Sequence, residues 1–207
     1  MSEFNIDVYR DAAANAGAKI YPLVRAGKLK SDFARVFSTH LGHLIGGGRF
    51  EAEGLLVIGP SGTGKTTEIH SLIQRFNSEG IALPHGSNAR FAECVLKGIS
   101  TWKDLGKATA KAIGYPVSSK ARLTQNEIWD IVVREAKLAG VIGIHFDEAQ
   151  HIFREKSVAD RLAVLDSFKT LMKSHDWPLM LIFSGVPELD GYMKEEPQLH
   201  RLLTRIH

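Results

Sequence analysis

From residue 54 onward, the chain alternates short apolar runs with longer stretches in which apolar residues recur at helical spacing. The apolar runs predict strands at residues 54–58, 90–96, 141–146 and 179–184. The first, third and fourth runs are apolar at consecutive positions, which is typical of strands buried on both faces of a parallel sheet. Because helices join parallel strands through right-handed crossovers, the alternation predicts a three-layer α/β sandwich.

Two of the predicted helices carry start signals. Thr124 followed by Glu127 fits a capping box, and Ser157 followed by Asp160 fits the same pattern with Asp in place of Glu. The helix after Thr124 extends to about residue 139, and its predicted buried residues are Ile128, Ile131, Val132 and Leu138. The helix from Ser157 extends to about residue 174, and its predicted buried residues are Leu162, Leu165, Phe168, Leu171 and Met172. Each helix therefore presents one apolar face to the sheet.

The first fifty residues differ from the rest because they show only short helical patterns. Residues 32–44 place five apolar side chains on one side of a helix: Phe33, Val36, Phe37, Leu41 and Leu44. Three consecutive glycines at 46–48 then break the pattern. We therefore predict an N-terminal helical appendage and linker over residues 1–50, followed by the α/β core over residues 51–207.

The segment after the first predicted strand fits the phosphate-binding pattern G-x-x-x-x-G-K-[ST] at every fixed position. It predicts nucleotide contacts by Gly59, Pro60, Ser61, Gly62, Thr63, Gly64, Lys65, Thr66 and Thr67. The glycines let backbone N–H groups surround the phosphates, and the helix N-terminus adds its positive dipole end. Lys65 is expected to reach the β- and γ-phosphates of ATP, and the Thr66 hydroxyl to bind Mg²⁺. A chance match in a glycine-rich turn is the alternative, and the strand and helix on either side argue against it.

A second motif follows the strand predicted at residues 141–146, which ends in two acids. Asp147 is expected to hold Mg²⁺ through its water shell, and Glu148 to orient or deprotonate the attacking water. A solvated turn is the alternative for this pair. The fourth strand ends in Ser184, a candidate to sense the γ-phosphate, although serine at a strand end is as often a turn former. Together these residues predict a site that hydrolyses ATP.

Composition limits the remaining possibilities. The 207-residue chain has a formal net charge of +3, which permits an anionic partner such as DNA without requiring one. Cys94 is the only cysteine, so intramolecular disulfides and thiolate metal clusters are excluded. His40 and His43 lack a third ligand nearby in sequence, so we assign no metal other than magnesium. No segment has the length of a membrane span or the pattern of a secretory signal, which predicts a cytoplasmic protein without a membrane partner.

Taken in order, the motifs resemble the AAA+ ATPases that serve DNA transposition, most closely the TniB family, which is related to TnsC and more distantly to MuB and IstB. The resemblance covers residues 50–205 and rests on four segments: 59–66, 145–151, 184–189 and 196–199 followed by arginines. Val186 and Glu196 are mild departures from the family pattern, in which Thr and Asp are usual. The family arginine is displaced, because Arg201 and Arg205 lie on either side of its expected position.

This resemblance implies an AAA+ fold of the additional-strand type and a homo-oligomer, either ring or filament, that binds ATP between subunits. It implies that Arg201 or Arg205 enters the neighbouring subunit's site, where a guanidinium stabilises charge on the γ-phosphate. The implied partners are double-stranded DNA and a transposase, with or without a target-selector protein. A fifth strand and a helical lid normally follow in such proteins. The sequence predicts neither, so we expect either a minimal member or a truncated chain.

One predicted helix could contact DNA. Residues 101–113 carry Lys103, Lys107 and Lys111 at four-residue spacing, which places three ammonium groups along one face. A solvated face is the equally weighted alternative. The predicted function is an ATP-dependent, DNA-binding regulator that marks target DNA and recruits or activates a transposase, with hydrolysis driving disassembly. The alternatives are a P-loop switch of the initiator or signalling type and a small-molecule kinase, which the water-activating acid disfavours.

Overall fold

A computed structural model describes residues 24–96, 101–118 and 121–207. Within these residues the strands are β1 (Gly54–Ile58), β2 (Arg90–Val95), β3 (Val141–Asp147), β4 (Met180–Gly185) and β5 (Leu203–Ile206). The helices are α1 (Val24–Gly46), α2 (Lys65–Ser78), α3 (Trp102–Ala112), α4 (Gln125–Leu138), α5 (Val158–Met172), α6 (Glu188–Met193) and α7 (Pro197–Arg201), with a short 3₁₀ helix at Ala149–Ile152. No helix of this part of the chain is long and apolar enough to cross a bilayer.

All neighbouring strands of the sheet are parallel, in the order β2-β3-β4-β1-β5. Strand β4 therefore lies between β1 and β3, with Val57 beside Ser184 and Phe146 beside Phe183. This order brings the carboxyl ends of β1, β3 and β4 together at one edge of the sheet. Ligands of open α/β sheets bind outside such an edge.

Helices cover both faces of the sheet, as the alternating apolar pattern predicts. On one face the Phe91 ring of β2 contacts three rings from α1 and α2: Phe33, Phe37 and Phe76. On the other face Phe146 and Phe183 both contact Phe168 of α5. The structure is therefore a three-layer α/β sandwich, and the predicted fold class is confirmed.

Strand β5 corrects the prediction that a fifth strand is absent. Residues Leu203–Ile206 pair with β1 in parallel register, and Ile206 is fully buried. The sequence pattern concealed the strand because Thr204 and Arg205 interrupt its apolar residues. An edge strand tolerates this interruption, since one of its sides needs no sheet partner.

Helix α1 packs into the same core as the strands, through Leu29, Phe33 and Val36. It also contacts β5 directly. The Arg35 guanidinium donates to the Thr204 hydroxyl at 2.9 Å, and the Lys28 ammonium donates to the Arg205 carbonyl at 3.4 Å. Helix α1 therefore packs as part of the α/β core. Residues 1–23 of the predicted appendage lie outside the described residues, so that part stays a prediction.

The predicted helix bounds and start signals are close to the observed ones. Thr124 and Glu127 form the full capping box at α4, and the Ser157 hydroxyl accepts the backbone N–H of Asp160 at α5. Two predicted core residues are wrong, because Leu138 is 66% exposed and Leu162 is 38% exposed, and a third, Ile131, is only half-buried. Leu138 is the last residue of α4, and Leu162 lies off the apolar stripe of α5, where Val164 is buried instead.

Candidate nucleotide-binding site

The phosphate loop joins β1 to α2 through two glycines with left-handed backbone. Gly62 has φ 77° and Gly64 has φ 81°, a region in which other residues are strained. Gly64 is also the N-cap of α2, where its carbonyl accepts the N–H of Glu68 at 3.0 Å. The loop therefore ends at a helix N-terminus, where N–H groups and the helix dipole favour an anion. Ser61 in this loop and Thr67 in the first turn of α2 are both exposed.

Lys65 is almost completely buried beneath the loop, with 4% of its surface exposed. Its ammonium donates to the carbonyls of Gly59 at 2.9 Å and of Pro60 at 2.8 Å. The Pro60 carbonyl also accepts the Thr63 hydroxyl at 2.9 Å. These neutral acceptors hold the ammonium at the loop, and a phosphate oxygen is a stronger acceptor for it.

Thr66 and Asp147 meet across the strand that separates β1 from β3. The Thr66 hydroxyl is 3.1 Å from Oδ1 of Asp147 and 3.0 Å from Oδ2. A hydroxyl and a carboxylate are the oxygen ligands that Mg²⁺ takes beside a nucleotide, directly or through water. The donor set therefore fits magnesium, with Thr66 and Asp147 as the residues that would hold it.

Glu148 occupies a left-handed backbone conformation, with φ 51° and ψ 42°. A non-glycine residue in this region is uncommon and is found most often where the surrounding structure enforces it. The buried Gln150 amide donates to Oε2 of Glu148 at 2.5 Å, and its own oxygen accepts the Val186 N–H at 3.3 Å. Gln150 thus ties the candidate catalytic acid to the turn after β4. Sequence reasoning missed Gln150, whose only signal is a polar residue two positions after Glu148.

Ser184 lies at the carboxyl end of β4 and is fully buried. Its hydroxyl donates to Oδ1 of Asp147 at 2.5 Å. The next residue, Gly185, accepts the Gly59 N–H at 3.2 Å and so joins β4 to the base of the phosphate loop. The structure therefore brings Ser184 to the acid of the second motif, between the two halves of the site.

His145 and Glu93 extend the site on its inner side, and sequence reasoning missed both. Nε2 of His145 is 2.8 Å from the Ser184 hydroxyl, and its Nδ1 is 3.7 Å from a Glu93 carboxylate oxygen. His70 of α2 also contacts this carboxylate, at 2.9 Å. Contact with His145, together with His70 and against the effect of burial, lowers the pKa of Glu93 to about 2. The available signal was polar residues inside two otherwise apolar strands.

The two candidate arginines lie on the last elements of the described chain. Arg201 ends α7, and 71% of its side chain is exposed beside Glu51, with 3.9 Å between the charged atoms. Arg205 is exposed on β5, with its Cα opposite Leu56 in the middle of β1. Both side chains are exposed, and the choice between them as a trans-acting arginine stays open.

The three lysines of α3 differ in their surroundings. Lys103 donates to the Leu123 carbonyl at 2.5 Å, so its ammonium is tied to the segment before α4. Lys107 is half-buried, and Lys111 is exposed. The predicted stripe of three equivalent ammonium groups is therefore uneven, with Lys111 the most accessible of the three.

A phosphate loop, two strand-end acids and a parallel sheet of this order define the class of P-loop nucleoside triphosphatases. Within that class, residues 49–193 match the family described as "AAA domain", which covers well over half of the chain. The chain therefore belongs to this AAA family, whose members generally bind and hydrolyse ATP. A search of curated protein sequences gives no match.

Solved structures with the same fold include two proteins of Aeropyrum pernix. The ORC2 protein, in its ADPNP–ADP complexes, is 18% identical with a TM-score of 0.61, over 91% of this chain and 50% of that chain. The ORC1 protein, in complex with DNA, is 17% identical with a TM-score of 0.57, over 86% of this chain and 45% of that chain. The chain thus spans about half the length of these proteins, and at this identity the likeness is one of fold.

Proposed function

We propose that this protein is an ATP-hydrolysing switch that assembles on double-stranded DNA and regulates DNA transposition, marking target DNA and recruiting or activating a transposase. The observation that carries the proposal is the contact between Thr66 and Asp147, with Glu148 next in the chain. These residues combine magnesium ligands with an acid able to activate water. The transposition role is supported by the sequence resemblance to the TniB family.

Hydrolysis needs three actions from the side chains of the site. The Lys65 ammonium would stabilise negative charge on the β- and γ-phosphates. Glu148 would orient a water molecule and accept its proton as the water oxygen attacks the γ-phosphorus and ADP leaves. Magnesium bound at Thr66 and Asp147 would neutralise charge on the phosphates. The buried Gln150 would keep Glu148 in its strained, aimed conformation.

Assembly on DNA is the second part of the proposal. The ORC1 relative was solved in complex with DNA, which supports DNA as a partner for a chain of the same fold. The exposed Arg201 or Arg205 would complete the ATP site of a neighbouring subunit, so that ATP favours the ring or filament. Any ligand bound between subunits stabilises the assembled state by mass action.

A switch of the initiator type is the second candidate, and the fold shared with the ORC proteins favours it. The two candidates differ in what the cell loses when the site is disabled. If the chain serves transposition, Lys65→Ala abolishes movement of a marked transposon and leaves replication unchanged. Loss of replication initiation with normal transposition would support the initiator instead.

The central experiment compares the wild type with Glu148→Gln, which keeps the size of the side chain and removes its basicity. We expect ATP turnover to fall at least about 100-fold, because general-base catalysis contributes about 10² to 10⁴. Binding of a slowly hydrolysed ATP analogue should persist, and electron microscopy should show ATP-bound assemblies trapped on duplex DNA.

Glu79→Gln, at the exposed C-cap of α2, is the matched control and should turn over ATP like the wild type. Unchanged hydrolysis by Glu148→Gln would contradict its catalytic role. A monomer under every combination of analogue and DNA, measured by light scattering, would contradict the assembly on DNA.

A further inference from the structure

A line of polar side chains crosses the buried sheet at Glu93, His145 and Ser184. Glu93 and His145 are opposite each other in the register of β2 and β3, and Ile182 of β4 is opposite His145. Ser184 is two residues beyond Ile182 and therefore points to the same face as the other two. His145 and Ser184 are both at most 1% exposed. Buried polar groups are unfavourable unless they are hydrogen-bonded, so this line requires a reason.

The direction of the hydrogen bonds follows from counting protons. Ser184 has one hydroxyl proton, and at 2.5 Å it is donated to Asp147, because a carboxylate only accepts. The Ser184 oxygen is therefore the acceptor toward His145, and Nε2 of His145 must carry the proton of the 2.8 Å bond. The histidine fixes the rotation of the serine hydroxyl, whose proton then points at Asp147.

On the far side of His145, Nδ1 faces a Glu93 carboxylate oxygen at 3.7 Å, which is beyond hydrogen-bond distance. Glu93 is itself held by Nδ1 of His70 at 2.9 Å and by the Gln74 amide at 3.3 Å. Both of these partners belong to α2, the helix that begins at the phosphate loop. The contacts thus link α2 through β2, β3 and β4 to the carboxylate that faces Thr66.

We propose that His145 is a positioning residue for the nucleotide site and acts through the Ser184 hydroxyl on Asp147. By orienting that hydroxyl, it fixes the Asp147 carboxylate toward Thr66, where magnesium would be held. Partners one step beyond a metal ligand commonly orient the ligand, and their loss costs about 10- to 100-fold in metal affinity or activity. The proposal rests on the nucleotide-hydrolysing part of the proposed function.

The test replaces His145 in two ways and measures the Mg²⁺ concentration that gives half-maximal binding of a mant-labelled, slowly hydrolysed ATP analogue. His145→Leu removes the donor, and we expect the Mg²⁺ midpoint to rise about 10-fold or more. ATP turnover should show a kcat lowered about 10- to 100-fold with a much smaller change in KM. His145→Gln keeps an N–H donor and should return both values to within about threefold of the wild type.

A double-variant cycle tests whether His145 acts through Ser184. Ser184→Ala alone should raise the Mg²⁺ midpoint about as much as His145→Leu, and adding His145→Leu to it should change the midpoint less than about twofold. Fully additive effects would overturn the proposal, because His145 would then act by another route. If His145→Leu does not fold, Ser184→Ala carries the test, and an unchanged Mg²⁺ midpoint in that variant would overturn the proposal.

His40→Leu is the matched control, because His40 is a buried histidine of α1 outside the site. It should change the unfolding midpoint and leave the Mg²⁺ midpoint unchanged. An equal Mg²⁺ midpoint in His145→Leu and the wild type would overturn the proposal even if stability falls. If the wild type hydrolyses no ATP, the proposed function fails, while the Mg²⁺ midpoint of analogue binding still decides the role of His145.

Discussion

At the scale of single residues, the site depends on side chains with more than one partner. Asp147 accepts the hydroxyls of both Thr66 and Ser184, and Gln150 bonds both Glu148 and Val186. Asp147 thus connects β3 to α2 and to β4, and Gln150 connects the 3₁₀ helix to the turn after β4. A substitution at one residue therefore changes the geometry of a neighbour as well as its own chemistry.

His40 gives a prediction about pH and stability at this scale. Burial, with a smaller effect of the nearby His43, lowers the pKa of His40 from 6.5 to about 4. The unfolded state therefore binds more protons than the folded state between these values, so the free energy of unfolding falls as the pH falls from 6.5 to 4. From pH 7 to pH 5 this loss amounts to roughly 2 kcal/mol.

Urea unfolding at several pH values checks this expectation. His40→Leu removes the titrating group and should lose roughly 2 kcal/mol less than the wild type between pH 7 and pH 5. His43→Gln, on an exposed neighbour, should keep most of the wild-type dependence, because burial makes the larger contribution to the low pKa of His40. The low pKa of Glu93 changes the free energy of unfolding mainly below pH 4.5, and it is shared by the wild type and both histidine variants. Parallel curves for His40→Leu and the wild type would contradict the prediction.

The sequence predicted the phosphate-loop residues and the acid pair because fixed spacing within one segment specifies them. Lys65, Thr66 and Asp147 lie together in the structure as the pattern requires. His145, Glu93 and Gln150 could not be predicted in the same way. Their roles depend on which strands are neighbours and in what register, and spacing along the chain does not contain that information.

At the scale of elements, β3 carries both the buried packing of the sheet and the acid of the site. Its Gly143 lies between Phe91 of β2 and Met180 of β4, and an added Cβ would overlap the Phe91 ring and lie 2.9 Å from the Met180 carbonyl. The sheet therefore requires the absence of a side chain at this position. Predicting β3 from its apolar run was straightforward, but the reason for its glycine is visible only in the packing.

Gly143→Ala tests this close approach. Overpacking a buried position costs about 1 to 3 kcal/mol, so we expect the free energy of unfolding in urea to fall by at least about 1 kcal/mol. Gly42→Ala is the matched control, because nothing lies within 4 Å of the added atom in the interior of α1. There alanine should stabilise the helix by up to about 1 kcal/mol. Equal stability of Gly143→Ala and the wild type would show that the strands separate easily at this point.

Strand β5 shows which elements a hydrophobic pattern leaves undetected. It has four residues, it lies at a sheet edge, and two of its residues are polar or charged. Its stability comes from pairing with β1 and from the contacts of Arg35 and Lys28 of α1. A strand held by such distant partners gives no periodic signal of its own in the sequence.

At the scale of the whole molecule, the proposed DNA contact is the least specified part of the function. A mild net charge of +3 and one uneven lysine face suit a weak electrostatic contact. Because Lys103 is tied to the Leu123 carbonyl, its replacement would disturb the joint between α3 and α4 as well as any contact with phosphate. The test of this face therefore leaves Lys103 in place and replaces Lys107 and Lys111.

We expect the double variant Lys107→Glu, Lys111→Glu to bind duplex DNA more weakly in the presence of the ATP analogue. The slope of log K against log salt should become shallower by about one for each phosphate that the variant no longer neutralises. Fluorescence anisotropy at several salt concentrations measures both quantities. Lys30→Glu with Arg75→Glu makes the same change in net charge on other surfaces and is the control. An unchanged slope in the α3 variant would place the DNA contact elsewhere.

The position of β1 between β4 and β5 has a consequence for synthesis on the ribosome. The loop that would bind nucleotide is made early, but both strands that flank β1 are encoded more than a hundred residues later. The two hydrogen bonds from α1 to β5 join residues that are 169 and 177 positions apart in the sequence. Such distant pairings fold slowly, since loop closure precedes any gain from contact. The nascent chain therefore exposes the apolar strand β1 without its neighbours until β4 and β5 have emerged from the ribosome. We expect a chaperone to bind this exposed segment and limit its aggregation.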